Sequence, residues 1–111
     1  MSIPSDLTSI AASTACVLDS IMITEANTEY SKALVPYCKK LTFRVVDSTM
    51  LKTGSDLRYA WVTGKVATPA LPFMILDGGA IYSKEQLWLR GKTLYVASAT
   101  AGDIVLLEMW K

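Results

Sequence analysis

The stretch that most constrains this chain is its last run, Ile104 to Trp110, reading Ile-Val-Leu-Leu-Glu-Met-Trp. Its β-branched and aromatic side chains suit a pleated strand. Both alternating sets are apolar: Val105, Leu107 and Met109 on one side, Ile104, Leu106 and Trp110 on the other. A strand of this kind must be covered on both faces, one by a second layer of its own domain and the other, in part, by another subunit. Just upstream, Thr93 to Ala97 is a second strand-like run with Leu94 and Val96 sharing a face. The small residues between the two runs end in Gly102-Asp103, which spells an antiparallel hairpin. A lone hairpin is marginal in water, so the rest of the chain is expected to build a sandwich around it.

Strand-like segments recur along the chain. Ala15 to Thr24 sets Val17, Ile21 and Ile23 on one face, and Thr28 to Leu34 reads as a short strand before Pro36. Leu41 to Val46 alternates apolar Leu41, Phe43 and Val45 with Thr42 and Arg44, the pattern of a half-buried strand. Leu57, Tyr59 and Trp61 face a core while Arg58 and Ala60 face away. Phe73 to Leu76 stops at Asp77-Gly78-Gly79, with Ala80 to Ser83 as its returning partner, and Leu87-Trp88-Leu89 is a further short run. About eight short strands separated by turn signals, with almost no helical periodicity, predict an all-β, two-sheet antiparallel sandwich, jelly-roll-like. The sandwich spans residues 15–111 as one domain. Residues 1–14, small and polar with Pro4, read as an N-terminal arm that orders on a neighbour, Ile3 and Leu7 being its apolar contacts.

Chemistry is harder to find. The chain has no His, which removes the ordinary Ser and Cys acyl-transfer arrangements and leaves Cys16 and Cys38 without the partners of a zinc set. Each cysteine lies in a strand-like segment and reads first as a buried free thiol; a disulfide would require the two strands to be neighbours. Asp77 and Glu108 are the carboxylates to weigh as a catalytic pair. Against that, Asp before Gly-Gly is ordinary turn chemistry, and Glu108 has Arg44, Arg58 and Lys92 as cross-sheet partners. No enzymatic activity and no cofactor are expected. A net charge of +1 does not point to nucleic acid. The apolar stretch from Ile10 to Ile23 is interrupted by Ser13, Thr14, Asp19 and Ser20, so no membrane span is expected, and the N-terminus lacks a basic secretory leader. Charge is unevenly placed: residues 1–31 hold four acids and no base, while all 11 bases lie beyond them. Such asymmetry suits an acidic segment lying on a basic surface, and scatter accounts for it equally well.

Three Trp and five Tyr on a small β domain suit either interface anchors or a sugar-stacking platform. Trp61 reads as core. Trp110, Met109 and Trp88 are the interface candidates alongside Ile3 and Leu7, and Trp88, Tyr82 and Tyr95 would form the stacking surface of a carbohydrate-binding module for host attachment.

Several segments carry a resemblance. Glu29-Tyr30-Ser31, Leu41-Thr42-Phe43-Arg44, Leu57-Arg58-Tyr59-Ala60-Trp61-Val62-Thr63-Gly64-Lys65-Val66-Ala67, Leu76-Asp77-Gly78-Gly79-Ala80-Ile81-Tyr82 and Gly91-Lys92-Thr93-Leu94-Tyr95-Val96-Ala97-Ser98, with Glu108-Met109-Trp110, resemble small virion proteins of tailed bacteriophages. The likeness covers about residues 25–111, and its motifs are structural. It implies a β-sandwich subunit of a phage particle, as capsid decoration, collar or tail component. Its partners would be other virion proteins and copies of itself, it would assemble in the host bacterial cytoplasm, and no catalytic residues carry over.

Overall fold

A computed structural model describes residues 16–85, 89 and 91–111. Among them are eight strands: β1 (Cys16–Met22), β2 (Tyr30–Ala33), β3 (Lys40–Val46), β4 (Leu57–Ala60), β5 (Met74–Leu76), β6 (Tyr82–Glu85), β7 (Thr93–Ser98) and β8 (Ile104–Trp110). They form two four-stranded antiparallel sheets, ordered β1-β8-β3-β6 and β2-β7-β4-β5. Every connection but β4–β5 therefore carries the chain from one sheet to the other, which is the jelly-roll arrangement of a sandwich. The expected N-terminal arm, residues 1–14, lies outside the described residues, as do Ile3, Leu7 and Trp88.

Two expected pairings are corrected. β7 and β8 do not form a hairpin: β7 lies between β2 and β4, whereas β8 lies between β1 and β3. Each of these apolar runs takes a central place in its own sheet, where both of its hydrogen-bonding edges are occupied. A hairpin would have set them side by side in one layer. The crossing between them is fixed by Ile23 N–H donating to Asp103 O at 2.9 Å and Gly102 N–H donating to Ile23 O at 2.7 Å. Gly102 makes that turn at φ 96°, a conformation open to glycine at little cost. Likewise β6 is not the return partner of β5. It pairs with β3 in the opposite sheet, with Phe43 against Tyr82.

The core fills the space between the sheets with the residues that alternation selects: Leu41, Phe43 and Val45 from β3, Leu57 and Tyr59 from β4, Leu94 and Val96 from β7, and Val105, Leu107 and Met109 from β8. Three rings lock its centre. Phe43 stacks on Tyr82 with centroids 4.6 Å apart, and Tyr59 meets both edge-on at 5.5 Å. Trp61 is half-buried at the margin of this group, 6.4 Å from Tyr82.

Ala60 was expected to face away from the core, yet it is buried. The long β4–β5 connection folds over the outer face of its sheet, seating Val66 on Ala60 and Ala97, with Phe73 and Tyr95 at the margin. Arg58 staples it down: Nε donates to Val66 O at 2.7 Å and an η nitrogen to Asn27 Oδ1 at 2.8 Å. Glu29 holds the same loop from the other side, accepting from the Thr63 hydroxyl at 2.6 Å and from Gly64 N–H at 2.8 Å.

The cysteines differ from expectation in part. Both are free thiols, but Cys16 is exposed at the start of β1, and Cys38 is buried in the β2–β3 connection, outside any strand. The Cys38 Sγ–H donates to Lys40 O at 3.4 Å, and burial raises its pKa.

Burial, with a smaller contribution from Tyr59, pushes the Tyr82 phenol up to about 12, and burial raises Tyr59 as well. Both groups favour the neutral form in the folded state. Their contribution to stability is therefore complete below the ordinary tyrosine pKa and lost as pH rises through the folded value. Chemical denaturation followed across the alkaline range should show stability falling from roughly pH 10 upward. Tyr82→Phe should flatten that fall, and an unchanged alkaline slope would contradict the assignment.

Candidate functional site

The two sheets differ in what covers their outer faces. That of β2-β7-β4-β5 carries the β4–β5 loop just described. The outer face of β1-β8-β3-β6 is a pleated surface built from every second residue, and the strand register arranges it in rows. Cys16, Trp110, Lys40 and Glu85 make the first row; Leu18, Glu108, Thr42 and Ser83 the second; Ser20, Leu106 and Arg44 the third; Met22, Ile104 and Val46 the fourth.

Apolar side chains stand in water on this face. Leu18 is 74% exposed, Met22 62% and Leu106 38%. They come from β1 and β8, whose other faces fill the core, so both sides of these two strands carry apolar residues. Arg44 is exposed beside Leu106. Among the described residues the one ion pair is Lys32 Nζ to Asp19 Oδ2 at 3.1 Å, which bridges the edge strands β1 and β2, so Arg44 has no carboxylate partner there. Glu108, one row away on β8, accepts the Trp110 indole N–H on Oε1 at 2.9 Å. A cleft of about 380 Å³ lined by Lys39, Lys40, Glu85 and Trp110 ends the face.

The sequence-predicted residues divide on this geometry. Trp110 is half-buried on the outer face, between Cys16 and Lys40 in register. Met109 is 1% exposed and belongs to the core, so it offers no surface to a partner; it has the opposite parity to Trp110. Tyr82 is also a core residue, which removes it from any sugar-stacking platform. Tyr95 is half-buried at the margin of the cluster under the β4–β5 loop, on the other sheet. Asp77 is an exposed turn residue after β5 in the second sheet, whereas Glu108 lies on the outer face of the first, so the structure does not bring these carboxylates together. Nor does Glu108 pair with Arg58, which is engaged on the opposite sheet.

Two other carboxylates are part of the framework. Asp103 is 3% exposed and accepts Ser55 N–H at 2.9 Å; Asp56 accepts Gly78 N–H at 2.9 Å. Both join turns at one end of the sandwich. Among the described residues no group of three or more His, Cys, Asp or Glu is placed to hold a metal ion, and no helix is long and apolar enough to cross a membrane.

Leu18 and Met22 were not singled out from the sequence. A signal was present: their parity is opposite to that of Val17, Ile21 and Ile23, so a strand burying the latter must expose the former.

No protein-family model matches the chain. Among curated proteins there is no match either. Among solved structures, the chain is similar to a de novo designed double-stranded β-helix determined by solution NMR, at a TM-score of 0.47 and 11% sequence identity over 87% of this chain and 99% of that one.

Proposed function

We propose that this chain is a structural component of a bacteriophage particle, a capsid decoration, collar or tail subunit that acts through protein–protein contacts. The observation that carries this reading is the apolar strip on the outer face of β1-β8-β3-β6, where Leu18, Met22 and Leu106 stand exposed. Apolar side chains gathered on one sheet face favour burial against another protein surface, by roughly 25 cal/mol for each Å² removed from water. The sequence likeness to small virion proteins supplies the setting: other virion proteins as partners, and assembly in the bacterial cytoplasm. Modest contacts of this size act strongly in a particle because each becomes effectively intramolecular once its neighbours are in place.

The test is the composition of gradient-purified particles released by cells carrying the gene, read by quantitative mass spectrometry. The expected result is this chain at a fixed ratio to the major capsid protein. Its confinement to the unassembled soluble fraction would refute the proposal.

A further inference from the structure

Building on the structural-subunit reading, the geometry points to a specific partner for the exposed sheet: we propose that the outer face of β1-β8-β3-β6 is a two-fold interface between two copies of this chain. Its pattern of charge is self-complementary. Arg44 on β3 stands beside Leu106 with no ion-pair partner among the described residues. Glu108 on β8 sits diagonally from it, in register with Thr42, with Oε1 held by the Trp110 indole. One cation and one carboxylate thus flank the same apolar centre. A two-fold axis lying between two such faces presents Arg44 of each copy to Glu108 of the other, so one contact is made twice, as an isologous interface requires. Leu18, Met22 and Leu106 supply the apolar part of the contact.

The size of the face sets its strength. Three strands of seven residues and β6 of four, spaced about 4.8 Å apart and rising about 3.3 Å per residue, give roughly 400 Å² of projected sheet. A face of this extent makes a modest interface, since a standard stable one removes ~800 Å² of accessible surface from each partner. The isolated dimer is accordingly concentration-dependent, and it is reinforced when other contacts hold the copies near one another. Charge complementarity also selects the partner: a neutral or uniformly basic surface would leave Arg44 or Glu108 unanswered on burial.

The test is sedimentation equilibrium on the full chain over a wide concentration range, with three variants whose folding is verified by thermal melts. Wild type should show a monomer–dimer equilibrium. Arg44→Glu and Glu108→Arg should each weaken dimerisation roughly tenfold or more, by setting like charges against each other. The double variant restores the pairing with its polarity exchanged and should recover most of the affinity. A wild-type protein that stays monomeric throughout would overturn the proposal, as would folded single variants that dimerise unchanged or a folded double variant that recovers nothing. None of these outcomes decides whether the chain resides in particles, which the particle composition measures independently.

Discussion

Phe43→Ala should lower the free energy of unfolding by about 3–5 kcal/mol, the usual cost of deleting a fully buried aromatic ring. Phe43 is 0% exposed at the middle of β3, a central strand, and its ring stacks on Tyr82 while meeting Tyr59 edge-on. Both neighbours come from other strands, β6 in the same sheet and β4 in the opposite one. Removal therefore opens a cavity whose walls are pinned by two sheets, and collapse into it would strain either β6 or β4. Since natural domains are stable by only about 5–15 kcal/mol, the variant should lose about a fifth or more of its margin. Urea denaturation should show a lower midpoint with the slope unchanged. A loss under about 1 kcal/mol would mean that the ring cluster is not the keystone of the core.

Gly78→Ala should cost about 3 kcal/mol or more, an unusual penalty for adding a single methyl. A Cβ at Gly78 would overlap the carbonyl oxygen of Gly54 and stand 3.3 Å from the carbonyl carbon of Ser55. Main-chain atoms cannot swing aside as the end of a long side chain can. Gly54 is pinned in turn, since its N–H donates to Val45 O at 3.1 Å and its own Cβ would meet the Val45 side chain at 2.5 Å. Opening this contact would also pull Gly78 N–H from Asp56 and disturb Ser55 N–H on the buried Asp103 carboxylate. Gly79→Ala is the control, because a Cβ there would have nothing within 4 Å. Thermal melts of the two variants should separate clearly; equal melting temperatures would refute the close approach.

The glycine pair shows how much of this molecule was legible in advance. Asp77-Gly78-Gly79 reads as a turn from composition alone, and it is one. That Gly78 rather than Gly79 is the indispensable glycine depends on Gly54, which is distant in sequence and packs against it only in the folded chain. Arg58 teaches the same lesson. Alternation correctly sets its side chain on the outer face of β4, but its partners, the carbonyl of Val66 and the side chain of Asn27, are supplied by two loops. The face with Leu18, Met22, Leu106 and Arg44 was half visible. Leu106 was identified as lying opposite the core set of β8, yet the register that aligns it with Ser20 and Arg44 came only with strand order.

The sequence by itself determined roughly where most strands lie and which side of β3, β7 and β8 fills the core. Apolar alternation has a period of two, so Leu41, Phe43 and Val45 or Val105, Leu107 and Met109 must face one way once the backbone is extended. It also determined that Ile104 to Trp110 carries apolar residues on both faces, Leu106 being the one that stands exposed on the outer side. Only the tertiary structure decided which strand lies beside which. Backbone N–H and C=O groups are the same in every strand, so any two edges hydrogen-bond equally well, and chain proximity favoured β7 with β8 and β5 with the segment after it. What overruled proximity was the need to bury both long apolar runs at the centre of a layer. That is met when the chain crosses between sheets at nearly every turn, leaving the exposed face of β1, β8 and β3 on the surface.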